Sequence, residues 1–75
     1  MAMLVYLHKE EDTPERLRYR FHTDGGADRY LVLDKQADTI LPDDGRPDAV
    51  FQAAARKLAR AWHGGEAPER LVYQA

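Results

Sequence analysis

Cysteine, serine and asparagine are absent from these 75 residues. Without cysteine there is no disulfide framework and no thiolate metal site. Without serine or cysteine the two commonest nucleophiles of acyl transfer are missing, and only Thr13, Thr23 and Thr39 carry aliphatic hydroxyls. That absence counts against a hydrolase. Charge imbalance is also lacking: 11 Lys and Arg face 13 Asp and Glu, for a net charge of −2. Such a balance gives no global drive toward nucleic acid or an anionic membrane. Long hydrophobic runs are missing too. The apolar stretch Met1 to His8 is far shorter than the ~20 residues a membrane helix needs, and it has neither the basic region nor the cleavage site of a secretory signal. The expected location is the cytoplasm.

What is present is the composition of a folded protein, with 44% of residues hydrophobic. The length allows one domain, spanning 1–75. A chain this short buries only roughly 60% of its unfolded surface, so its core is thin. Oligomerisation is one remaining source of stability for such a domain, and a homodimer or a protein partner is expected. Arg outnumbers Lys eight to three and Ala is abundant, a composition suggestive of a GC-rich bacterial genome.

Met3 to His8 is expected to form a first strand, followed by a charged loop from Lys9 to Pro14. From Arg16 to His22 the pattern is plain. Leu17, Tyr19 and Phe21 alternate with Arg16, Arg18, Arg20 and His22, giving a strand with one apolar and one basic face. Thr23 to Asp28 supplies turn residues for a hairpin, and Arg29 to Leu33 forms the third strand. Thr39 to Leu41 can return as a short fourth strand before Pro42.

One helix is expected from Asp48 to His63, capped by Asp48 and ended by Gly64-Gly65. Val50, Phe51, Ala54, Ala55, Leu58, Ala61 and Trp62 recur at spacings of three and four and make its apolar stripe. Arg70 to Ala75 reads as a final strand, which a right-handed crossover could bring back parallel to the first. The resulting fold class is α+β. Two layers are expected, with a mostly antiparallel sheet of four to five strands, in the order β-β-β-(β)-α-β, packed against one amphipathic helix.

A single helix covers one face of such a sheet. Leu4 and Tyr6 must face away if Val5 and Leu7 face the helix, and the same holds for Tyr30 and Val32 against Leu31 and Leu33. An uncovered apolar patch rimmed by Arg is the composition of an interaction surface. Its candidate residues are Tyr6, Arg16, Arg18, Arg20 and Tyr30. The function expected from this is a non-catalytic interaction or regulatory module that self-associates through the uncovered sheet face or an edge strand. The alternative is a weak nucleic-acid binder using the basic face of strand two.

A third reading is a small enzyme with His8 or His22 beside a carboxylate. No catalytic, cofactor or metal site is assigned, since the three histidines are dispersed and the Asp-rich turns lack calcium-loop spacing. Arg56 and Arg60 share a helix face at a spacing where like charges repel. The pair calls for something acidic opposite, with the Asp43-Asp44 loop or another copy of the chain the simplest candidates and a ligand anion a further one.

Overall fold

Period-two alternation in the second strand sets the geometry of the whole sheet. The structure, a computed structural model, describes residues 3–75. It contains β1 (Leu4–Asp12), β2 (Arg16–Thr23), β3 (Arg29–Asp34), β4 (Thr39–Pro42), α1 (Ala49–His63) and β5 (Arg70–Gln74). The strands form one sheet in the order β4-β3-β2-β1-β5, every neighbouring pair antiparallel, with α1 on one face. This is the two-layer α+β fold that the alternation and the single amphipathic helix predict.

Most element ends fall within one residue of the sequence expectation, while the length of β1, the place of Pro42 and the direction of β5 differ from it. β1 does not stop at His8 but runs to Asp12, because its register against β2 shifts between Lys9 and Glu11. Such a bulge leaves Glu10 without a directly opposed residue and lets a charged segment stay in the ladder. β4 keeps Pro42 as its last residue, which an edge strand tolerates. β5 pairs antiparallel with β1, not parallel to it. The fourth strand is the reason. Four antiparallel strands leave the chain travelling opposite to β1, and one helix returns it to the end from which β5 must run the same way as β4.

The core lies between the sheet and α1. Val5, Leu7, Leu17, Tyr19, Phe21, Leu31 and Leu33 come from the strands, and Phe51, Ala53, Ala54 and Leu58 from the helix, all of them buried. The buried stripe of α1 is turned slightly from the expected one. Ala53 is inside, while Ala55, Ala61 and Trp62 pack only partly buried at the flank, Trp62 with the Lys35 ammonium 5.2 Å above its ring. Asp48 caps the helix as its residue type predicts, its carboxylate accepting from the Phe51 amide at 3.0 Å. At the other end Gly65, at φ 88°, turns the chain so that the Glu66 amide donates back to the Ala61 carbonyl.

Tyr19 fastens the segment that leads into β5. Its ring is buried in the core and its hydroxyl donates to the Pro68 carbonyl, while Lys9 Nζ donates to the Ala67 carbonyl at 2.9 Å. Burial, reinforced by Asp12 and Glu69, pushes the Tyr19 pKa up to about 12, so the hydroxyl stays a donor at any physiological pH. Tyr19→Phe is expected to cost about 1 kcal/mol, because the partly buried carbonyl loses its donor. Urea unfolding followed by circular dichroism would measure it.

Candidate interaction surface

The antiparallel registers place the side chains of the helix-free face in rows across the strands. One row runs Leu41, Val32, Arg18 and Glu11, from β4 to β1. The next runs Tyr30, Arg20, His8 and Arg70, from β3 to β5. A third holds His22, Tyr6 and Val72. Arg16 stands at the far end opposite Asp34. All five residues expected on this surface are therefore on it, with Arg16 at its margin and Tyr6, Arg18, Arg20 and Tyr30 nearer the middle.

The centre is aromatic and imidazole-rich. The Tyr6 and His22 rings stack at 5.3 Å between centroids, and His8 stacks on His22 at 5.6 Å with an interplanar angle of 3°. Arg18 lies over the Tyr30 ring at 4.4 Å. Burial of His8, with the Arg20 guanidinium next in weight, lowers its pKa below the usual histidine value, so the stack carries no His8 charge near pH 7. Pairing of the first two strands is enough to suggest that His8 and His22 meet, as they do, but Arg70 and Val72 join them only through the β1–β5 register, which the sequence does not show.

Three of the four guanidiniums on this face are neutralised from within the chain, and Arg70, at the β5 edge, has no carboxylate partner among the described residues. Arg18 Nη2 meets Asp43 Oδ2 at 2.8 Å, and Arg16 Nε meets Glu11 Oε1 at 2.9 Å. Arg20 stands between Glu10 at 3.8 Å and Asp28 at 3.5 Å. Leu41 and Val72 are the exposed large apolar side chains among the described residues, at 66% and 44% exposure, and both lie on this face at its opposite edges.

Other candidate groups are arranged differently from expectation. Asp43 and Asp44 do not face Arg56 and Arg60. Asp43 is taken by Arg18, and Asp44 by Arg29 and Arg46, because β4 carries this loop back beside β3, where the Asp43 amide donates to the Tyr30 carbonyl. Among the described residues, the histidine–carboxylate pair is His63 with Asp38 at 3.3 Å, on the exposed surface, and involves neither His8 nor His22. His22 Nδ1 instead lies 3.0 Å from the Thr23 carbonyl.

Among the described residues, no three His, Asp or Glu side chains converge closely enough to hold a metal ion. No helix there is long and apolar enough to cross a membrane. A shallow cleft of about 230 Å³ opens between α1 and β5, lined by Lys57, Arg60, Ala61, Glu66, Pro68 and Leu71. Compared with known proteins, the chain matches no family model, no curated protein and no solved structure.

Proposed function

We propose that this domain is a non-catalytic interaction module that self-associates face to face through the helix-free side of its sheet. The observation that carries the reading is the placement of Leu41 and Val72, both exposed and both on that face. Val72 borders the Tyr6, His22 and His8 stack, and Leu41 with Val32 makes a second apolar patch at the opposite edge, the carboxylate-paired Arg18 and Arg20 lying between them.

Area supports a second copy as the occupant. Five strands at ~4.8 Å spacing, each presenting about six residues at ~3.3 Å, give a face of roughly 480 Å². Two such faces bring about 1,000 Å² together, the lower end of what a specific interface needs. Charge opposes the contact little, because Arg16, Arg18 and Arg20 already have carboxylate partners and the unpaired Arg70 stands at the β5 edge. The same pairing disfavours nucleic acid, whose phosphates would have to displace Asp43, Glu10 and Asp28. A catalytic reading has less behind it, since His8 and His22 stack on each other with no carboxylate among the described residues bonded to either.

Light scattering is the test. The wild-type mass is expected to approach twice the 8.6 kDa of one chain at about 100 μM. It is expected to stay there from ~0.1 to ~1 M NaCl, since apolar contacts are little screened. Leu41→Lys with Val72→Lys is expected to give a folded monomer. A wild type that is monomeric at every concentration would overturn the reading. Binding of single-stranded oligonucleotide that weakens steeply with salt would then favour the nucleic-acid alternative.

A further inference from the structure

The ion pairs divide the cations of this protein by location. Of the 11 Lys and Arg residues, Lys9, Arg16, Arg18, Arg20, Arg29, Lys35 and Arg46 are paired with carboxylates of the chain. Among the described residues the four without a partner are Arg56, Lys57, Arg60 and Arg70, and all four are on α1 and β5. Lys57 and Arg60 line the cleft between those two elements, over a floor that includes Leu71, Pro68 and Ala61. Glu66 is the one acid on the cleft wall among the described residues, and it forms no ion pair with either cation.

The strand bordering this cleft is one of the two edges of the sheet. Among the described residues, β5 has β1 on one side and no strand on the other. The Lys9 amide donates to the Glu69 carbonyl, and the Ala75 amide to the Met3 carbonyl. In the antiparallel β1–β5 register these bonds place residues 69, 71, 73 and 75 at the positions whose backbone groups face β1. The N–H and C=O groups of Arg70, Val72 and Gln74 therefore point away from the sheet. A strand laid along this edge would bond to those three residues. It would send alternate side chains over the Leu71 floor between Lys57 and Arg60, and the others toward Arg70.

We infer that the α1–β5 cleft and the free β5 edge together bind an extended acidic peptide segment by strand addition. Main-chain bonds to Arg70, Val72 and Gln74 give the peptide its register. An apolar side chain fills the cleft, and carboxylates on either side of it meet Lys57 and Arg60. The inference does not rest on the sheet-face contact, because its main-chain bonds lie at the edge of the sheet and its cleft on the helix side, with the Arg70 side chain alone reaching from the helix-free face.

The probe is the hexapeptide acetyl-Glu-Thr-Leu-Glu-Glu-Thr-amide, whose alternate residues supply Glu, Leu and Glu to the cleft and a further Glu to Arg70. It is titrated into the ¹⁵N-labelled full chain, with the same peptide carrying Lys for every Glu as the control. The expected result is saturable shifts of the Arg70, Val72 and Gln74 amides below about 2 mM peptide. Lys57→Glu and Arg60→Glu, each on a chain whose circular dichroism is unchanged, should each weaken binding about tenfold. Equal shifts with the Lys peptide, no shift at β5, or undiminished binding by both variants would overturn the inference. So would slow hydrogen exchange at Arg70, Val72 and Gln74 in the free protein, since that would show a second copy already seated on the edge. Failure of the sheet-face dimer would leave every one of these outcomes unchanged.

Discussion

Phe21→Ala is expected to destabilise the fold by about 3–5 kcal/mol, the cost of removing a fully enclosed aromatic side chain and leaving a cavity. Phe21 is 0% exposed and stands in the central strands, where its ring tilts against Phe51 of the helix at 6.4 Å. The Arg29 guanidinium lies over the same ring at 4.9 Å. One side chain thus joins sheet, helix and an ion-pair cluster, and its removal loosens all three. Domains hold roughly 0.05–0.15 kcal/mol of stability per residue, about 4–11 kcal/mol for a chain of 75 residues, so a loss of this size takes from about a quarter to all of it. Urea titration followed by far-ultraviolet circular dichroism should show a midpoint lowered by well over ~1 M. Val32→Ala in the neighbouring strand is the control. Val32 sits on the helix-free face, only half-buried, and its loss should shift the midpoint much less. Comparable losses in the two variants would mean that the helix-free face is as well packed as the core.

These two substitutions also separate what periodicity can reveal from what it cannot. The alternation of Leu17, Tyr19 and Phe21 with Arg16, Arg18 and Arg20 is a local pattern, and it assigns both faces of β2 before any partner strand is known. Asp48 and Gly65 act within a turn of themselves, so the helix ends are legible for the same reason. The direction of β5 is not local. It depends on whether Thr39 to Pro42 counts as a strand, because one strand more or fewer before the helix reverses the sense of the strand after it. The His8–His22 stack is not local either. It requires the β1–β2 register on the near side of the Glu10 bulge, and a slip of one residue would send these rings to the other face.

The acidic residues show the same division. Their clustering in turns is visible in the sequence, but their partners are not. Charge alone matches Arg56 and Arg60 with Asp43 and Asp44, whereas the β3–β4 hairpin delivers those carboxylates to Arg18 and Arg29. That reassignment is what leaves the α1 and β5 cations without partners, and it could not be anticipated without the topology.

Arg29→Met is the second large expected effect, at about 2 kcal/mol near neutral pH, the range for losing hydrogen bonds to charged groups. The Arg29 side chain is only 12% exposed. Its Nε donates to Asp44 Oδ2 at 2.7 Å, Nη1 to Asp48 Oδ1 at 2.9 Å, and Nη2 to the Arg46 carbonyl at 2.9 Å. Asp48 is also the helix cap, so a single guanidinium holds the β4–α1 loop, the start of the helix and the end of β3 in one arrangement. Lysine cannot reproduce a three-way planar contact, and Arg29→Lys should lose most of the same stability.

The pH dependence distinguishes ion pairing at Arg29 from simple loss of packing. Arg29 and the Arg46 amide hold the Asp44 carboxyl well below its ordinary pKa. The Phe51 amide, and then Arg29, lower that of Asp48. Groups with depressed folded-state pKa values add stability above their unfolded pKa, near ~3.9, and lose it as pH falls through the folded values. Wild type and Arg29→Met should therefore differ most at neutral pH and converge as the medium is acidified below about pH 4, where the carboxylates that Arg29 grips are progressively protonated. The residual acid dependence of the variant would report the backbone bonds from Arg46 and Phe51, which remain. A stability difference that stays constant down to about pH 2 would assign the role of Arg29 to its contact with the Phe21 ring instead of the two carboxylates.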